Sequence, residues 1–162
     1  MSSCHQRKSH SIIKVEEQGE RSTFKLHNPK KLEVEHFKLD ECQARGNQLG
    51  CKEQTKTCAF QNNLKKKVSN WQGQKRCDAL LEIAEKETQI FVELKGQDIA
   101  AGIEQLEASL NLFAKDNWQK KLFLSCNTKR LNNLNTKIKR FKARLRKRYK
   151  KTDFDIKSEH RI

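Results

Sequence analysis

The chain has 162 residues, 35 % of them apolar and 34 % charged, and 35 Lys and Arg against 20 Asp and Glu leave a net charge of +15. No stretch of about 18 apolar residues exists, so no membrane-spanning helix is expected, and the N-terminus (MSSCHQRKSHSIIK) lacks the apolar core of a secretory signal. One proline and six glycines exclude a low-complexity Pro/Gly chain.

Six cysteines without a signal point to a reducing, cytoplasmic setting and free thiols. The length suits a single domain over residues 1–162. Charge is unevenly laid out along it. Residues 1–42 carry +1, 43–76 carry +7, 77–128 carry −4 and 129–162 carry +11. A carboxylate-rich middle between two basic flanks suits a metal site dressed for phosphates, so nucleic acid is the expected partner.

Residues 1–31 show no convincing helix. Residues 31–39 (KLEVEHFKL) alternate as a strand, with Leu32, Val34, His36 and Lys38 on one face. Residues 43–76 are rich in Gln, Asn and Lys and have no sustained period. They read as a long basic insertion or mobile loop, in which Phe60 and Trp71 could stack on bases or anchor the loop.

Residues 78–83 and 89–94 read as two strands joined at about 84–87. A four-residue loop pairs Ile83 with Thr88 and so sets Asp78 opposite Glu93. Ala79, Leu81, Ile83, Ile90, Val92 and Leu94 then form an apolar face. Asp78, Leu80, Glu82, Gln89, Phe91, Glu93 and Lys95 form the other.

A helix follows over 98–114, with Asp98 as N-cap and a stripe of Ile99, Ile103, Leu106, Leu110 and Phe113. Residues 121–126 read as a buried strand. A basic helix covers about 131–149 on a stripe of Leu131, Leu134, Ile138, Phe141, Leu145 and Tyr149, and a short strand covers 154–156. These elements predict an α/β domain with a mixed sheet flanked by helices.

The hairpin carries the chemistry. Two carboxylates directly opposite on a sheet lie about 5 Å apart at Cβ and repel. A divalent cation, Mg²⁺ or Mn²⁺, resolves that repulsion with hard oxygen ligands. Without it, removing either carboxylate is expected to raise stability. Lys95 projects from the same face as Glu93 and can meet charge developing on a phosphate. For a bare E-x-K alone, a half-exposed hairpin with a charged outer face is the better account. The Asp opposite the Glu, Gly96 and the following helix favour the catalytic reading.

The ordered set Cys77-Asp78-Ala79-Leu80-Leu81, Phe91-Val92-Glu93-Leu94-Lys95-Gly96 and Glu104-Gln105-Leu106 resembles small stand-alone members of the PD-(D/E)xK nuclease superfamily, over about residues 77–126. Gln105-Leu106 is similar to the Gln motif of its RecB-type branch. The resemblance implies a restriction-endonuclease-like core. It implies that Asp78, Glu93 and the backbone carbonyl of Leu94 hold the metal, that Lys95 is the catalytic lysine, and that Gln105 steadies the site from the helix. Family members often add an acidic residue from an N-terminal helix; Glu16 and Glu17 are the candidates here. Where the RecB-type motif continues to a Tyr, this chain has Ser109.

The cysteines form no C-x-x-C, which disfavours a structural zinc site, and Cys77 and Cys126 read as buried strand thiols. Residues 129–151 hold 12 Lys and Arg and no acid. Like charges at that density repel unless an anion is near, so Arg140, Arg144, Lys147 and Arg148 are expected on phosphates. The combined expectation is a metal-dependent nuclease acting on DNA. A non-catalytic nucleic-acid-binding module on the same fold, or a Holliday-junction-resolvase-like homodimer, stands as the alternative.

Overall fold

The architecture was read from a computed structural model, which describes residues 5–16, 22–39, 75–96, 98–126 and 135–162. Its strands are β1 (His5–Lys8), β2 (Ile12–Glu16), β3 (Thr23–His27), β4 (Val34–Lys38), β5 (Ala79–Ile83), β6 (Thr88–Lys95), β7 (Gln119–Cys126), β8 (Thr152–Ile156) and β9 (Glu159–Arg161). Two helices, α1 (Ile99–Phe113) and α2 (Asn135–Arg148), complete the described elements.

The main sheet has the order β1-β4-β5-β6-β7-β8, and a smaller one has the order β2-β3-β9. Strands β1, β4, β5 and β6 pair antiparallel in turn, and β6, β7 and β8 pair in parallel. The predicted mixed α/β sheet is therefore present. Helix α1 is the crossover from β6 to β7, and α2 leads from β7 towards β8.

The hairpin register is as expected: Ile83 pairs with Thr88 and Ala79 with Val92. Its connection is a short 3-10 turn, Ala84–Lys86, closed by Glu87 in the left-handed region (φ 45°). The predicted apolar face of the hairpin meets the inner face of the small sheet. Ile13, Val15, Phe24 and Leu26 pack there on Ala79, Leu81, Ile83, Ile90, Val92, Leu94 and Phe123. The other face is not a solvated outer face. Leu80 and Phe91 lie beneath Ile99, Ile103, Leu106 and Leu110 of α1 and beside Phe141 and Leu145 of α2. Both faces being buried explains why the hairpin is nearly continuous in apolar residues.

Asp98 caps α1 as expected, accepting from the Ala101 N–H at 3.0 Å. The strand expected at 31–39 is shorter, β7 starts two residues earlier than expected, and β8 starts at Thr152. Residues 1–31, left without an element by the sequence, supply β1, β2 and β3. The alternations Ile13/Val15 and Phe24/Leu26 bury one face of each of β2 and β3. The basic insertion lies outside the described residues except for Lys75 and Arg76, as do Phe60, Trp71, Leu131, Leu134 and Glu17. No helix among the described residues is long and apolar enough to cross a membrane.

The C-terminal strand β9 runs parallel to β3 and brings the His160 ring against Phe123, centroids 4.9 Å apart, with Phe24 stacked beyond it. Burial and the nearby Lys121, Lys157 and Lys86, offset in part by Asp155, push the imidazole pKa down from 6.5 to about 4. In the unfolded chain the same ring takes up its proton near pH 6.5. The unfolded state thus binds more protons between those values, and stability falls as pH drops from about 6.5 to about 4. A His160→Gln variant should lose that part of the pH dependence of Tm, as thermal melts at pH 7.5 and pH 4.5 would read.

Candidate active site

The site lies at one end of the hairpin, where β5 begins and β6 ends. Continuing the observed register one step past Ala79 and Val92 places Asp78 against Glu93. Both are removed from water: Asp78 is 5 % exposed and Glu93 is 0 % exposed. Lys95 returns on the same face two residues on, and its Nζ stands 3.0 Å from Glu93 Oε1. Its side chain keeps some access to solvent. A buried carboxylate of this kind needs a cationic or hydrogen-bonding partner to offset desolvation, and here the ammonium is one.

Asp78 is held by the backbone. Its Oδ2 accepts the N–H of Leu94, a short contact, and its own carbonyl accepts from Leu39 N at 2.9 Å. These bonds continue the sheet past the last ladder pairs and fix where the carboxyl group sits. The resemblance gives the Leu94 backbone a role through its carbonyl. The interaction seen is the Leu94 N–H donating to Asp78.

Helix α1 secures the approach to Asp78. Gln105 Nε2 donates to the Arg76 carbonyl at 2.9 Å, and the buried Ser109 Oγ accepts from Cys77 N at 2.7 Å. Gln105 therefore acts on the lead-in to β5, one turn before Ser109 does the same. Gly102 lets the helix come close. A Cβ there would lie 2.6 Å from Leu124 Cδ1, 3.2 Å from Lys95 Cγ and 3.4 Å from Glu93 Cγ. From the other side, Ser22 Oγ donates to the Lys95 carbonyl at 2.9 Å.

Gly102, Ser22 and the buried Arg76 are the residues that the sequence reading passed over, and Ser109 enters it only as the place of a Tyr. Gly102, Gln105 and Ser109 recur at i, i+3 and i+7 on one flank of the apolar stripe, a signal available in the sequence. Ser22 had none, since its bond joins residues 73 positions apart, and Arg76 enters through its carbonyl, which any residue would supply. Of the two N-terminal acidic candidates, Glu16 is exposed on β2 and lies 3.9 Å from Lys14; Glu17 is outside the described residues.

The far end of the same hairpin face also carries polar groups, with a different purpose. Gln89 Nε2 donates to Glu82 Oε1 at 2.8 Å and to the Phe113 carbonyl at 2.9 Å, while its Oε1 accepts from Lys115 N at 2.8 Å. These bonds close the C-terminal end of α1. Glu82 and Gln89 are thus structural, and the candidate site lies at the other end. Cys77 is buried just before β5, and Cys126 is half-buried at the end of β7.

Among the described residues no three His, Cys, Asp or Glu side chains converge as a metal cage. Two buried hard-oxygen carboxylates fit a different use. Mg²⁺ commonly takes only one or two protein carboxylates and fills its octahedron with water and substrate phosphate oxygens. Asp78 and Glu93 match that donor set.

The basic helix is placed as expected, with its apolar side on the sheet and Phe141 edge-on to Phe154 at 5.0 Å. Arg140, Arg144, Lys147 and Arg148 are all exposed. Arg144 is engaged by α1: its Nη2 stands 2.8 Å from Glu107 Oε2 and its Nε 3.3 Å from Glu107 Oε1. The partner seen for Arg144 thus belongs to α1. No family model, curated protein or solved structure matches the chain.

The Leu94 contact reverses the stability expectation for Asp78. Asp78→Ala leaves a buried N–H without its acceptor and should cost about 1–3 kcal/mol. Asp78→Asn keeps an acceptor oxygen and should melt within about 1 kcal/mol of the parent protein. Urea denaturation of both variants separates the backbone role of this carboxylate from simple charge repulsion.

Proposed function

We propose that the protein is a divalent-metal-dependent nuclease of the PD-(D/E)xK type, hydrolysing phosphodiester bonds in DNA. The observation that carries this reading is the convergence of Asp78, Glu93 and Lys95 at one buried sheet end, with Lys95 Nζ 3.0 Å from Glu93. Further support comes from the strand order β4-β5-β6-β7, antiparallel twice and then parallel, with α1 crossing over the site. That layout agrees with the restriction-endonuclease-like core implied by the resemblance.

In this reading Asp78 and Glu93 hold Mg²⁺ or Mn²⁺, with the Leu94 backbone alongside them. The bound ion supplies Lewis-acid polarisation of the phosphate and a more acidic water. The protein's own groups do the rest. Asp78 is immobilised by the Leu94 N–H, so little reorganisation is required when the site fills. With an ion held by Glu93, Lys95 would no longer be confined to that carboxylate, and its ammonium would stabilise the charge that develops on the scissile phosphate. Gln105 and Ser109 keep the Arg76–Asp78 segment from shifting, and α1 screens the site from water. Arg140, Arg144, Lys147 and Arg148 bind the backbone of the nucleic acid.

Cleavage of plasmid and single-stranded DNA should occur with Mg²⁺ or Mn²⁺ and cease with EDTA. Glu93→Gln should abolish it; undiminished cleavage by that variant would sink the assignment. Binding of DNA with no cleavage under any metal condition would instead favour a non-catalytic binding module.

Lys95→Met separates the lysine's role from ligation. Turnover should fall by about 10²–10³-fold, as for loss of one transition-state donor. Mn²⁺ affinity should hold or rise, because Glu93 no longer has a competing ammonium. Calorimetric Mn²⁺ titration of the variant reads this directly, and a fall in affinity would contradict it.

A further inference from the structure

The basic helix has an order that composition alone does not reveal. Lys137, Arg140, Arg144 and Arg148 follow one another at steps of 3, 4 and 4. At 3.6 residues per turn they fall within about 80° of one another, on a single stripe. All four are exposed. The Arg144 contact with Glu107 fixes which way the stripe looks: towards α1. Arg148 agrees, lying over Tyr149, whose hydroxyl donates to Asn111 of α1 in a short contact.

Those contacts also give direction. Glu107 meets Arg144, and Asn111 meets Tyr149, so the two helices run side by side the same way. Helix α1 starts at the site, with Gly102 against Glu93 and Lys95. The N-terminal end of α2 is therefore its site end. Lys137 and Arg140 stand nearest Asp78 and Glu93, and Arg148 stands furthest away. From Lys137 to Arg148 the stripe covers about 16 Å. That is about five phosphates of one B-form strand.

We infer that the face along which α1 and α2 run side by side is a track for one polynucleotide strand, running from Arg148 past Arg144 and Arg140 to Lys137 and then to the scissile position. The inference rests on the nuclease reading above and deepens it: the substrate is a strand several nucleotides long, not a mononucleotide or a small phosphodiester. Glu107 is the acidic residue set into the track. It grips Arg144 through both carboxylate oxygens, as a phosphate would, and the arriving strand must displace it. The strand's affinity is thereby held down at the middle of the track.

The test uses labelled DNA oligonucleotides of 2 to 16 nucleotides, single-stranded and duplex, followed by fluorescence anisotropy and by single-turnover cleavage with Mn²⁺. Affinity and kcat/KM should rise with length and level off once the strand spans the stripe. Arg148→Gln should weaken long strands several-fold and the shortest far less. Lys137→Gln should weaken strands of every length. Glu107→Gln should tighten binding and steepen the log–log salt dependence by about 0.7 for a single strand. Arg144→Gln/Glu107→Gln should lack that gain. Length-independent binding, or an Arg148→Gln effect equal on short and long strands, would overturn the track. An unsubstituted protein that binds in this length-dependent way but never cleaves would support the track and refute the nuclease reading.

Discussion

The bond from the Leu94 N–H to the Asp78 carboxylate is the interaction on which the rest of the site depends. The β5–β6 ladder ends at Ala79 and Val92, and beyond it nothing in the hairpin alone would keep Asp78 facing Glu93. The side chain acts there as one more rung. Its consequence is two carboxylates fixed side by side in an interior where charge is costly. Everything around them offsets that cost or prevents an escape from it. Lys95 returns to pair with Glu93, α1 lies on the site through Gly102, and Gln105 and Ser109 tie down the incoming chain.

Helix α1 does two jobs that place opposite demands on its residues. Ile99, Ile103, Leu106 and Leu110 bury its core side and drive docking through apolar area. The adjacent flank must instead be small or polar, because it faces charged side chains and open backbone groups. Gly102, Gln105 and Ser109 meet that demand. Gly102 weakens the isolated helix by about 1 kcal/mol relative to Ala. The close approach to Leu124, Glu93 and Lys95 is what that weakening secures. At its far end the helix is closed by Gln89 and Lys115, so the element over the site is held at both ends.

Electrostatics divides the molecule in the same way. Asp78, Glu82 and Glu93 of the middle segment are buried in the sheet and Glu104 and Glu107 lie on α1, while α2 turns a dense cationic surface outwards. Glu107 is where the two meet. A free helix with this many like charges would repel itself; docking through Phe141 and Leu145 and the contact to Glu107 offset that repulsion. The small sheet is remote from this boundary and serves stability. Its β3 strand and the residue before it still reach the site, through Ser22 on the Lys95 carbonyl and through the Thr23 carbonyl, which accepts from Ser125 Oγ.

The sequence by itself determined whatever is local. The hairpin register followed from a four-residue loop, because period-two alternation on both strands permits no slip. The span and cap of α1 followed from a 3.6-residue apolar period and Asp98, and the candidate trio Asp78, Glu93 and Lys95 followed from the register. Only the tertiary structure decided what covers the polar face of that hairpin, since a strand flanked by helices and a strand facing water can share one pattern when the site itself is charged. It alone supplied β1 to β3 and the closing β9; β1 is held by β4 and β3 by β9, partners far along the chain. It alone placed Ser22, Ser109 and Arg76 near the carboxylates, and it alone aimed Arg144 at Glu107. Those contacts join residues 29 to 73 positions apart, and no local period encodes a distance of that kind.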